Sequence, residues 1–90
     1  MLSDRSSCRR VMVALVPGQS SLITGNEYAA KFPLAELRLA KPGVGQQFSL
    51  WFPNSDEGDA QADDAVQALK VDGRVHRVED TIRWYANPRD

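Results

Sequence analysis

Cys8 and His76 are the only thiol and the only imidazole in the 90 residues, so they form the one conceivable pairing of a nucleophile with its base. Such a pair needs a third group to orient the base and a pocket to exclude water, and nothing in the surrounding sequence supplies either. The serines at 6, 7, 20, 21, 49 and 55 lie outside any G-x-S-x-G frame. One Cys and one His fall short of a zinc site, which takes about four ligands. Asn54, Asp56 and Gly58 approach calcium-loop spacing, but Asp59 stands where that loop needs glycine, and its twelfth position is Ala65 rather than Glu. Gly43 and Gly45 lack the Lys-Ser/Thr or third glycine of a nucleotide loop. The expectation is a chain with no catalytic site, metal or cofactor.

Charge offers more. Asp56, Glu57, Asp59, Asp63 and Asp64 place five carboxylates within residues 54–64 with no base among them. Carboxylates near a helix start are favoured by the helix dipole, and the same cluster can meet a basic surface. Of opposite sign are Arg9 and Arg10 near the amino end and Arg74, Arg77 and Arg83 near the carboxyl end, which could touch phosphates. Trp51 stands opposite the apolar parity of its own stretch, and tryptophan is a favoured anchor of protein interfaces.

Positioning these groups requires a sheet and a helix. Arg10–Val16 is short, β-branched and apolar on both parities, as in a strand covered on both faces or nearly so. Leu22–Thr24 reads as a second short strand turning at Gly25-Asn26, followed by one or two helical turns capped by Asn26 and ended by Pro33. Residues 35–39 and 47–52 alternate apolar with polar and suggest a hairpin around Pro42-Gly43-Val44-Gly45, with Phe48, Leu50 and Phe52 on one face. Asp59 is placed to cap a helix over about 60–71, whose Ala62, Ala65, Val66 and Leu69 form an apolar stripe. Residues 74–86 fit a hairpin turning near Glu79-Asp80, with a helix as competitor, and Asn87-Pro88 closes the domain. The fold class expected is α+β: an antiparallel sheet of four or five strands, one main helix on one face, a flexible tail over 1–9 and a single globular domain over 10–88.

A content of 42% hydrophobic and 26% charged residues is that of a folding chain rather than a disordered one. The single cysteine excludes an internal disulfide, the apolar run at 11–16 is too short for a signal peptide, and no segment approaches a membrane span. A cytoplasmic protein without a membrane partner is the expectation, as monomer or homodimer. Residues 1–53 hold six bases against three acids and residues 54–90 five against nine, so the net charge of −1 conceals an asymmetry.

These readings converge on a non-enzymatic protein-binding module that occupies a surface on a larger partner, through Asp56, Glu57, Asp59, Asp63, Asp64 and Trp51. Its size and charge suit an inhibitor or accessory protein of phage or plasmid type acting on a nucleic-acid-handling complex, although no motif carries that likeness. The alternative is a nucleic-acid-binding accessory protein using Arg9, Arg10, Arg74, Arg77 and Arg83.

Overall fold

The computed structural model describes residues 7–40 and 46–84, with side chains over 8–40 and 46–81. In chain order the elements are β1 (Ser7–Leu15), α1 (Ser21–Lys31), β2 (Glu36–Leu39), β3 (Gln47–Pro53), α2 (Asp56–Lys70) and β4 (Val75–Trp84). The strands make one antiparallel sheet ordered β2-β3-β1-β4, so the α+β class read from the sequence is the one that forms. A β-α-β-β-α-β connectivity of this kind is the split β-α-β, or ferredoxin-like, arrangement.

Strand parity decides which face is covered. Val11 pairs with Leu50 and Val13 with Phe48, and these four side chains, with Phe52, are at most 1% exposed. Both helices lie on this face. The expected stripe of α2 packs there as read, with Ala62, Ala65 and Leu69 fully buried and Val66 nearly so. Small side chains in the stripe let the helix approach the strands closely. The opposite parity of β1, Met12 and Ala14, is only half-buried, so the strand is not covered on both faces as its composition suggested.

Five local readings are corrected. The helix α2 starts at Asp56, and its cap is Ser55 rather than Asp59: the Ser55 hydroxyl accepts from the Gly58 N–H at 3.0 Å. Gly58 passes so close to Pro53 that a Cβ there would collide with the Pro53 carbonyl oxygen, which is why the turn from β3 into the helix can be this tight. In place of a strand at 22–24 and a short helix after Asn26, one helix runs from Ser21, capped by the Ser20 hydroxyl accepting from the Ile23 N–H at 3.1 Å. Gly25 is not a turn residue but a point of close approach, since an added Cβ would stand 2.8 Å from Leu37 Cδ1.

β4 neither turns at Glu79-Asp80 nor forms a helix: it continues along β1, with Glu79 opposite Met12 and Asp80 opposite Val11. A turn there would have left much of the β1 edge unpaired, at a cost in buried backbone groups. A register shift between Ala14 and Leu15 allows Val75 and Val78 both to pack against the core, which accounts for their helix-like spacing. At the amino end β1 begins at Ser7, three residues before the expected strand start. The rest of the expected tail (1–6), the connector at 41–45 and the closing Asn87-Pro88 lie outside the described residues.

Candidate functional site

The acidic cluster is organised by an arginine. Arg9 projects from the inward parity of β1, where it meets Ile82 across the β4 register, and its side chain is only 13% exposed. Its Nε and Nη2 donate to the two oxygens of Asp80 at 2.9 and 2.7 Å, a bidentate pair. Nη2 also lies 2.7 Å from Asp63 Oδ1, while Nη1 donates to the Asp59 carbonyl oxygen at 3.4 Å and stands 3.8 Å from its carboxylate. Two of the five carboxylates thus converge, with Asp80, on a resident cation. Asp56, Glu57 and Asp64 are exposed and make no such contact to Arg9.

A second arginine ties the helices together. Arg74 donates through Nε and Nη2 to the two oxygens of Asp72 at 3.0 and 2.8 Å, and through Nη1 to Glu27 at 2.9 Å. The buried Tyr28 hydroxyl donates to Asp72 as well, at 2.8 Å. Hydrogen bonds from Arg74 hold the Asp72 carboxyl well below the usual carboxylate range. Burial, then the bond to Asp72, pushes the Tyr28 hydroxyl up to about 12.

The sheet face turned away from the helices has a different character. Its middle rows are set by register: Glu36–Trp51–Arg10–Thr81, then Arg38–Ser49–Met12–Glu79, then Gln47–Ala14–Arg77. The Trp51 indole N–H donates to Ser49 Oγ at 2.9 Å, which fixes the ring, and the guanidinium carbons of Arg38 and Arg10 stand 4.5 and 5.5 Å from its centroid. Arg10 Nε is buried and has no hydrogen-bond partner among the described residues. At the rims, Arg38 pairs with Glu36 at 3.4 Å and Arg77 with Glu79 at 3.1 Å.

Trp51 and the acidic cluster therefore occupy opposite faces, and no flat partner surface could cover both. Arg10 and Arg77 share the outer face, whereas Arg9 and Arg74 are engaged by carboxylates on the helix side. The Arg83 side chain lies outside the described ones. Cys8 pairs with Arg83 across the sheet, seven positions along β4 from the exposed His76, which separates thiol and imidazole by about 20 Å. Sequence reading missed Met12, Arg38 and Glu79, because only cross-strand register brings them onto the outer face that Trp51 shares. Among the described residues no three His, Cys, Asp or Glu could hold a metal, and no helix is long and apolar enough to cross a membrane. Comparison with protein-family models, with curated proteins and with solved structures finds no match.

Proposed function

We propose that this domain is a non-enzymatic protein-binding module that docks on a basic surface of a larger partner through the outward side of α2. The observation that carries this reading is the charge on one helix: α2 holds five carboxylates against a single Lys70, at its far end. Asp59 and Asp63 are shared with Arg9, so Asp56, Glu57 and Asp64 are the carboxylates whose charge is left most available to a partner. Opposite charge on the partner would accelerate encounter and fix orientation more than it would deepen affinity. The nucleic-acid alternative has less to rest on, since Arg9 and Arg74 are bound to carboxylates within the chain and Arg77 is paired with Glu79. The role this suggests is that of an accessory protein or inhibitor, occupying a basic site on a nucleic-acid-handling complex.

The test is a triple change, Asp56→Asn, Glu57→Gln and Asp64→Asn, which leaves the Ser55 cap and the Arg9 contacts in place. Recovery of partners from the native host, followed by association kinetics with the recovered protein, should show a rate reduced about tenfold and a weaker dependence on salt. Equal rates across a salt series, in a variant with the parent's unfolding midpoint, would remove α2 as the contact.

A further inference from the structure

The outer sheet face is self-complementary under one two-fold operation. We propose that two copies of this chain associate face to face through it, with the axis running along the strands between β3 and β1. This association uses a different surface from the α2 contact and does not depend on it.

An axis in that direction lays β2 of one copy over β4 of the other, and β3 over β1, row upon row. In the first row Trp51 then faces Arg10 of the second copy, so each Arg10 is sandwiched between two indoles. In the next row Arg38 faces Glu79 of the second copy, and this pair occurs twice by symmetry. The ion pairs already present within each chain, Glu36–Arg38 and Arg77–Glu79, then join end to end as an alternating line of charge. In the third row Gln47 lies over Ala14 of the second copy. Turning the axis across the strands would instead set Arg38 on Arg38 and Glu79 on Glu79, so charge selects the first arrangement.

The geometry is that of aligned sheet packing, in which strand directions stay within about 30°. With strands about 4.8 Å apart, seven residues paired between β1 and β3 but only four in β2, the patch is about 350 Å² on each copy, and an interface of about 700 Å² in total lies below the standard size for specific association. The dimer is therefore expected to be weak and concentration-dependent. Tryptophan, arginine and methionine, the types enriched at interface centres, stand together in the middle of the patch as Trp51, Arg10 and Met12.

Sedimentation equilibrium of the full chain from about 1 to 500 μM should show a monomer–dimer equilibrium. Arg38→Glu alone and Glu79→Arg alone should each weaken it at least about tenfold, because each sets like charges opposite one another twice. Mixing the two variants should restore association to within about threefold of the parent, since both contacts in the heterodimer are again of opposite sign. Arg38 and Glu79 are exposed, and thermal unfolding of each variant checks that it folds. A parent that stays monomeric throughout would assign the face to a different protein or to the chain's own terminal residues, and would overturn the proposal. So would single variants that dimerise like the parent, or folded variants that fail to associate when mixed.

Discussion

Arg9 and Asp63 suggest opposite partners when read as single residues, one a phosphate and the other a basic surface, yet they lie 2.7 Å apart and bind each other. Asp59 and Asp80 add to the same guanidinium, so the charge of Arg9 is satisfied within the fold while its three carboxylates keep an excess of negative charge. Asp72 shows the same economy with a measurable consequence. Its carboxyl is depressed in the folded protein by Arg74, so its contribution to stability is complete above the unfolded value near 4 and fades as pH falls below it. Asp72→Asn should be less stable than the parent at pH 7, and the gap should narrow steadily as pH falls below about 4 in urea unfolding. A gap independent of pH would show that the Arg74 contact contributes nothing to folding.

At the level of elements, the helix α2 was legible because Ala62, Ala65, Val66 and Leu69 repeat with the helical period and all face the sheet. Leu69→Ala should cost about 2–4 kcal/mol, since the side chain is fully buried and the backbone on either side is held by helix and strand. A loss below about 0.5 kcal/mol in denaturant unfolding would mean that the stripe does not carry the core. The helix α1 was not legible, for an identifiable reason. Its packing face is Thr24, Gly25 and Tyr28, a buried hydroxyl, a glycine and an aromatic, whereas Leu22 and Ile23 are more than half exposed. Hydrophobic periodicity thus points away from the true inner face. The Ser20 cap was the available signal, obscured by the Gly25-Asn26 pair that ordinarily marks a turn. In β4, likewise, Glu79-Asp80 resembled a turn because the neutralising Arg9 lies 71 residues away from Asp80 in sequence.

For the whole molecule, the division of charge between sequence halves becomes a division between layers. The α2 surface is strongly acidic, while the described side chains of the outer sheet face balance Arg10, Arg38 and Arg77 against Glu36 and Glu79. If two copies meet through their sheets, the α2 surfaces point to opposite sides of the pair. A partner protein should then bind with 2:2 stoichiometry above the dimerisation threshold and 1:1 below it, as read by sedimentation velocity across a concentration series. A 1:1 complex at every concentration, for a chain that dimerises in the partner's absence, would show that partner and second copy compete for one surface. The α+β class, the α2 stripe, the buried parity of β3 and the clustering of carboxylates over 54–64 were determined by the sequence alone, because each depends on periods of two or 3.6 within one segment. Tertiary structure alone decided that Arg9 pairs with Asp63 and Asp80, that Trp51 sits between Arg10 and Arg38, and that it faces away from the acids. Those relations arise from the pairing of β1 with β3 and β4, of β2 with β3, and from the packing of α2 on the sheet, and no pattern within one segment encodes them.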